Sequence, residues 1–387
     1  MNNNFFFPSE RSNVKSFKVM ELLAEAGNLE RKGKEIFHLE LGEPQSLTPS
    51  LVKKEIRKAI GLNLPGYTPS NGIKDLRESI KVFYSEKYGL KIDSKNIFIT
   101  TGSSGAFLLS FLSCFDNGNK VGILNPVYPA YRNILKSLNI DVVDIFPDES
   151  DICKIDVRKV MEFKFLDGLI ISNPNNPNGQ IFKKHELKFI YNFCEKNKIR
   201  LICDEIYHGI EYRTTSESIL NIGFNAIIIN SFSKYFCMPG WRLGWAILPD
   251  SLVDNFLRLS QNLFISSGNI AQYSAIKVFN CLNELNKIVE KYFTTRNVVS
   301  EKLSQIPGLK FHEPEGAFYF YIDLSEYNEN SEILVKRILK ETGVVLTPGT
   351  DFDRKFGTRT LRLAFSISHE RVVEGVNRMC DWFNKNY

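Results

Sequence analysis

The sequence has 387 residues, 43% of them hydrophobic and 24% charged. That balance gives a chain able to bury a large core without a disulfide or a metal, and it excludes a disordered or fibrous one. The formal charge is only +5 and the basic residues are scattered, so nothing calls for nucleic acid or an anionic membrane as partner.

At about 150 residues per domain, the length predicts two to three structural units. The opening run MNNNFFFPSE has neither a basic n-region nor a long apolar segment, so no secretory signal is expected. No apolar run approaches the ~20 residues of a membrane span. The longest, such as 106–115, are broken by serine. The seven cysteines are odd in number and form no C-x-x-C pair, so they read as reduced, mostly buried small hydrophobes in a cytoplasmic protein. The five histidines lack metal-ligand spacing, and no metal site is expected.

Along the chain, residues 13–32 carry a loose helical stripe ending at Gly33. A short strand follows at 36–41, then the turn Gly42-Glu43-Pro44. Thr48-Pro49 predicts a helix start, with Thr as N-cap and Pro first in the helix, running to about residue 60. Residues 61–72 are rich in Gly, Pro and Asn and read as a surface loop. An amphipathic helix covers 73–88. From 97 to 248 short β-branched runs alternate with helical segments: 97–101, 121–124, 142–146, 168–172, 200–203, 226–230 and 243–248. Such runs predict buried parallel strands, with a ligand site beyond their carboxyl ends. Several end in polar residues there. Residues 251–305 read as helical. Pro307-Gly308 breaks the chain, and the remainder predicts a smaller α+β unit: strands at 318–324 and 361–365, helices at 332–341 and 369–384.

Five strand-end strings carry chemistry. Ser231-Phe232-Ser233-Lys234 follows a core strand, and Pro239-Gly240-Trp241-Arg242-Leu243-Gly244 comes next. A lysine so placed is a candidate amine nucleophile, and Arg242 a candidate phosphate fork. A lone S-x-S-K would more often be a solvated loop, but the full string favours function. Asp204-Glu205-Ile206-Tyr207 offers a carboxylate to pair with a pyridine N–H⁺, and Tyr207 a donor to a phenolic oxygen. An ordinary helix N-cap aspartate is the competing reading; a P-loop ATPase fails for want of G-x₄-G-K-[ST]. Thr100-Thr101-Gly102-Ser103-Ser104-Gly105-Ala106 makes an anion seat of backbone N–H groups, or a plain strand-to-helix turn. It is not the G-x-G-x-x-G fingerprint of NAD or FAD sites. Ser172-Asn173-Pro174-Asn175-Asn176-Pro177-Asn178-Gly179 is a rigid turn from which Asn176 can reach a ring oxygen, or a structural turn only. In Pro126-Val127-Tyr128-Pro129-Ala130-Tyr131, Tyr128 is a stacking aromatic or an interior one.

Together these are the parts of a pyridoxal 5′-phosphate site. The chain resembles the class I/II aminotransferases of the aspartate aminotransferase fold, from about Leu39-Glu40-Leu41-Gly42-Glu43-Pro44 to Leu361-Arg362-Leu363. The resemblance implies an α/β fold: a large domain (46–300) with a mostly parallel seven-stranded sheet between helices, and a smaller α+β domain from 1–45 and 301–387. It implies that Lys234 forms a Schiff base with the cofactor and moves the proton between Cα and C4′. Asp204 keeps the ring nitrogen protonated, and Tyr207 and Asn176 partner the ring hydroxyl. Ser103, Ser104, Ser231 and Arg242 match phosphate ligands, with Ser233 a further candidate, and Tyr128 matches the stacking residue. Arg362 matches the clamp on the substrate α-carboxylate, with Asn176 beside it, and Gly42 the backbone that closes over the substrate. Tyr67 matches a tyrosine that reaches the partner subunit's phosphate, so a homodimer with shared sites is implied. Only the resemblance singles out Arg362 and Tyr67.

The substrates implied are an L-amino acid and a 2-oxo acid. The loop Asn262-Leu263-Phe264-Ile265-Ser266-Ser267 lacks the cation that dicarboxylate-specific relatives place there, and the anion-seat turn lacks the lysine of another. A neutral or aromatic donor is therefore favoured, although Arg11, Lys15 and Arg132 are other sources of charge. A same-fold lyase cleaving a Cβ–S bond would use the same Lys234 and Asp204. A regulator with an aminotransferase-like effector domain would need a DNA-binding prefix before Gly42.

Overall fold

The computed structural model describes residues 7–61 and 66–387. The first six residues, and 62–65 of the loop expected at 61–72, lie outside them. The elements run in the order α1 (Lys18–Arg31), β1 (Phe37–His38), α2 (Ser50–Gly61), α3 (Lys74–Tyr88), β2 (Ile97–Thr100), α4 (Gly102–Cys114), β3 (Lys120–Leu124), α5 (Pro129–Ser137), β4 (Asp141–Ile145), β5 (Gly168–Ser172), α6 (Lys184–Asn197), β6 (Arg200–Asp204), β7 (Ile227–Ser231) and β8 (Gly244–Ile247). Then come α7 (Val253–Leu263), α8 (Asn269–Ala275), α9 (Leu282–Leu303), β9 (Lys310–Phe311), β10 (Tyr319–Asp323), α10 (Ser331–Thr342), β11 (Val344–Val345), β12 (Thr347–Pro348), β13 (Thr360–Ala364) and α11 (His369–Asn386).

Seven strands form the central sheet, in the order β2-β8-β7-β6-β5-β3-β4. They are nearly continuous apolar runs because both faces are covered. Alternate side chains feed two cores: Ile97, Leu169, Leu201 and Ile228 enter one, and Phe98, Ile170, Ile202 and Ile229 the other. β3 through β7 pair parallel. β8 is antiparallel to β7 and to β2, so the expectation of a parallel strand at 243–248 is corrected. The link 232–243 holds only the short turn Pro239–Trp241 and no helix to carry the chain back along the sheet, so it returns as a hairpin.

A second, antiparallel sheet has the order β12-β13-β10-β9, and β1 pairs with β11 in parallel, joining the N-terminal segment to the C-terminal one. Two helix starts differ from expectation. α1 begins at Lys18, its first amides being taken by Asp351: Lys18 N donates to Oδ1 (2.9 Å) and Val19 N to Oδ2 (3.1 Å). Thr48 does not cap α2. Its hydroxyl donates to Cys237 O (3.2 Å) and accepts from Trp241 Nε1 (3.2 Å), tying this segment to the lysine loop. Among the described residues no helix is long and apolar enough to cross a membrane.

Candidate active site

The turns after β2, β3, β5, β6 and β7 meet at the carboxyl edge of the parallel strands, where order reverses between β3 and β5. They line one cavity of about 420 Å³, together with Phe17, Val19 and Met20 at the start of α1 and with residues of the second sheet.

Lys234 enters from the turn after β7. Its Nζ donates to Gly42 O (2.6 Å). Burial, with the positive charge of Arg362 next, pushes its amine down to about 8. Of the flanking hydroxyls, Ser233 lines the cavity. Ser231 is fully buried behind it, its Oγ 2.9 Å from Ser233 Oγ and 3.0 Å from Leu243 O.

Asp204 ends β6. Oδ1 accepts from Ile206 N (3.0 Å) and Oδ2 from the Tyr131 hydroxyl. Burial pushes this carboxyl up to about 6, against the pull of those two donors. The adjacent Glu205 turns to the other side, accepting from Ser218 Oγ (2.9 Å) and Ile219 N (2.9 Å). Tyr207 lies one turn on. Its hydroxyl is 2.8 Å from Tyr319 Oη and accepts from Asn176 Nδ2 (3.4 Å).

Asn176 also reaches Arg362. Arg362 Nη1 donates to Asn176 Oδ1 (3.0 Å) and Nη2 to Glu40 O (2.5 Å), while its guanidinium lies over the rings of Tyr319 (4.3 Å) and Phe352 (4.6 Å). This fixes the fork yet leaves Nε buried with no partner. Gly42 passes so close that a Cβ there would lie 1.7 Å from Tyr319 Oη.

Ser103 and Ser104, in the first turn of α4, also line the cavity, and the unpaired N–H groups of a helix start favour an anion. Arg242 crosses there, Nη1 donating to Pro239 O (3.0 Å). Gly102 has φ +67°, and a Cβ there would lie 2.6 Å from Arg242 Nη2. Tyr128 lines the cavity edge-on to Tyr131, with ring centroids 5.5 Å apart. Tyr67 is 78% exposed and does not line this cavity.

Sequence reasoning passed over three of the lining residues. Tyr131 sits inside a quoted string, but its partner is 73 residues away. Tyr319 reads as one more core aromatic of β10. Asp351 binds a helix more than three hundred residues earlier in the chain. No local pattern marks any of them.

The donor set fits pyridoxal phosphate. A half-buried amine that gives up its proton readily, a buried carboxylate, an arginine beside a helix N-terminus and an Arg362 whose Nε is unpartnered all belong to the lining of one cavity. The chain matches the family described as Aminotransferase class I and II over residues 34–379. It is 33% identical to the valine–pyruvate aminotransferase of Mycobacterium tuberculosis, covering 96% of this chain and 97% of that protein. It is 36% identical to the (5-formylfuran-3-yl)methyl phosphate transaminase of Methanocaldococcus jannaschii, covering 96% and 98%. The solved structure of an aminotransferase from Mycobacterium tuberculosis superposes with a TM-score of 0.95 at 32% identity, covering 99% of this chain and 100% of that one. The chain belongs to the class I/II aminotransferase family, a family of pyridoxal-phosphate-dependent transferases, and it is a transaminase.

Proposed function

We propose that this transaminase moves the amino group of a neutral or aromatic L-amino acid to a 2-oxo acid, with pyridoxal 5′-phosphate held covalently at Lys234 Nζ. The observation that carries the reading is the convergence of Lys234, Asp204 and Arg362 on one cavity. When bound, the cofactor supplies an aldehyde for the amino group and a ring that takes up the electron pair left at Cα.

The chain's own residues do the rest. Asp204 faces a ring N–H⁺ as the anion, and Tyr207 and Asn176 hold the phenolic oxygen. Tyr128 covers the ring. Ser103, Ser104, Ser231, Ser233 and Arg242 make up the phosphate end, Ser231 acting from behind Ser233. Arg362 clamps the substrate α-carboxylate, with Asn176 beside it and the Gly42 backbone over it. Lys234, with its amine near 8, is able both to accept the Cα proton and to return it.

The donor class rests on the composition of the cavity lining. Phe17, Val19, Met20, Leu41 and Phe352 are apolar, and among the described residues the lining cations are Lys234, Arg242 and Arg362. Arg132 is occupied by Asp144, with Nη1 at 2.7 Å and Nη2 at 2.5 Å. Arg11 and Lys15 do not line the cavity. The name of the valine–pyruvate relative accords with a neutral donor. We further read the chain as a cytoplasmic homodimer in which Tyr67 serves the partner's phosphate end. Its large domain spans 46–300 and its small domain 1–45 with 301–387.

The test loads the protein with pyridoxal phosphate, reduces it with borohydride and maps the labelled peptide. Amino acids are then screened against 2-oxoglutarate and pyruvate. Label on Lys234, and oxo acid formed from neutral or aromatic donors without free ammonia, is expected. Label on another lysine removes Lys234 from the site, and stoichiometric ammonia points to β-elimination instead.

A further inference from the structure

We infer that His38 and Glu40 form a proton-dependent staple that positions the Arg362 fork: a doubly protonated His38 ring holds the Glu40 carboxylate, and the Glu40 carbonyl holds Arg362 Nη2. The inference rests on the proposed role of Arg362 as the carboxylate clamp and concerns two residues which that role does not include.

The segment after β1 is pinned by its carbonyls. Leu39 O accepts from Ala364 N (2.7 Å), Leu41 O from Ser366 Oγ (3.1 Å) and Gly42 O from Lys234 Nζ (2.6 Å). Between them, Glu40 O accepts from Arg362 Nη2 (2.5 Å) and from Thr347 Oγ1 (3.1 Å). Among the described residues, Nη2 has besides that carbonyl only a long contact to Thr347 Oγ1 (3.5 Å). The Glu40 side chain is fully buried. Its Oε1 lies 2.8 Å from His38 Nδ1, while Oε2 is buried without a partner. His38 Nε2 lies 3.2 Å from Oε1 of Glu30, in the last turn of α1. The other charged groups near β1 are turned elsewhere. Arg371 and Arg378 of α11 lie over Phe37 and pair with Glu35. Lys34 Nζ donates to Leu339 O and Lys340 O of α10, and β11 brings Val344 and Val345.

Both nitrogens of the His38 ring thus face a carboxylate oxygen. A neutral imidazole has one N–H and cannot serve both, so this geometry belongs to the imidazolium. The Glu40 hydrogen bond, aided by the charges of Glu40 and Glu30, raises the His38 value above the ordinary one against the pull of burial. A raised value means that the charged ring is present on the acid side and is lost as pH rises through it. Loss of that proton strips the buried carboxylate of its counter-charge. Among the described residues it has no second hydrogen bond, its other oxygen being unpartnered already. Any turn it makes to find a partner is a turn of residue 40, whose carbonyl carries Arg362. A histidine that only packed against α1 would leave substrate binding indifferent to its proton.

The test uses the enzyme loaded with pyridoxal phosphate and two carboxylates that lack an amino group, 3-phenylpropanoate and 4-methylpentanoate. Their dissociation constants are read by cofactor absorbance from about pH 6 to about pH 9. Wild type, Glu40→Gln, His38→Asn, the double variant and Arg362→Lys are compared, and division by wild type at the same pH removes the titrations that all share. Glu40→Gln and His38→Asn should each bind roughly fivefold more weakly at the acid end, with the deficit closing toward unity at the alkaline end. The double variant should be no worse than either. In chains with ring-labelled histidine, the His38 NMR signal is identified by its absence from His38→Asn. It should titrate above the usual ~6.5 and fall back toward it in Glu40→Gln. His38 is partly exposed, so His38→Asn remains informative if Glu40→Gln fails to fold. A deficit that is absent or constant with pH, or a His38 midpoint untouched by Glu40→Gln, overturns the staple. Arg362→Lys binding as wild type does, or wild type binding neither carboxylate at any pH, is a different result: it removes the clamp itself, and the staple with it.

Discussion

Lys234 owes its chemistry to the loss of water. An exposed lysine keeps its proton to about pH 10.4. Here burial, helped by the Arg362 charge, brings the amine down to about 8, and the Gly42 carbonyl takes one of its N–H bonds at 2.6 Å. A base with a lowered value is neutral at the higher pH, so its nucleophilic fraction should rise through a midpoint near 8. Competitive acylation of the cofactor-free chain with a small reagent, followed by peptide mapping, measures this. Lys234 should label with that midpoint while surface lysines titrate some two units higher. A midpoint shared with the surface lysines would show that the amine is not desolvated in solution. At this scale the sequence was informative wherever a functional side chain stands at the end of a strand or a few residues beyond it, as Asp204, Lys234, Asn176 and Tyr128 do. Strand ends are recognisable, and the sheet brings them together. It was silent on Tyr131 and Tyr319, because what distinguishes them from core aromatics is a hydroxyl partner on another element. Only the completed fold supplies that partner.

The start of α1 shows how one element is placed by another. Phe17 at its N-cap position offers no side-chain cap, and the free amides of Lys18 and Val19 are met by Asp351, which lies beside Phe352 in the cavity wall. The carboxylate also suits the positive end of the helix. Asp351→Ala should therefore lower stability by about 1 kcal/mol, as other lost caps do. It should also raise the KM for the amino acid, because Phe17, Val19 and Met20 would no longer be held over the cavity. Borohydride labelling at Lys234 should be unaffected. Denaturant unfolding and steady-state kinetics together decide: a loss of stability with KM unchanged would mean that α1 does not wall the substrate. The same long-range dependence explains where helix boundaries departed from their local signals. Thr48 has the chemistry of a cap, but a carbonyl and an indole N–H from the lysine loop claim its hydroxyl. The direction of β8 was hidden for a related reason. A run such as Gly-Trp-Ala-Ile is equally apolar in either direction, and only the helix-free link before it decides.

At the scale of the whole molecule, the proposed site draws on two chains. Tyr67 is 78% exposed and outside the cavity, so any role at the phosphate end requires a second copy to bring it there. Its loop is fastened to α8, with Asn269 Nδ2 donating to Gly66 O at 3.0 Å. Exposed apolar side chains flank in sequence the two segments that this bond joins: Ile60 on one side, and Leu263, Ile265 and Ile270 on the other. In a two-fold dimer that buried them, any contact of Tyr67 with the other chain's site would be made twice, since a closed two-fold contact is reciprocal. Mixing tests this. Lys234→Ala chains and Tyr67→Ala chains are unfolded together and refolded. If Tyr67 acts across the interface, each heterodimer has one site with Lys234 from the second chain and Tyr67 from the first, and that site is whole. With random pairing about a quarter of all sites should recover. If Tyr67 acts within its own chain, every site in the heterodimer carries a defect and no activity returns. Tyr67→Ala alone must first be shown to weaken cofactor binding, by titration. Given that loss, heterodimers confirmed by mass but no more active than either parent would refute the shared site.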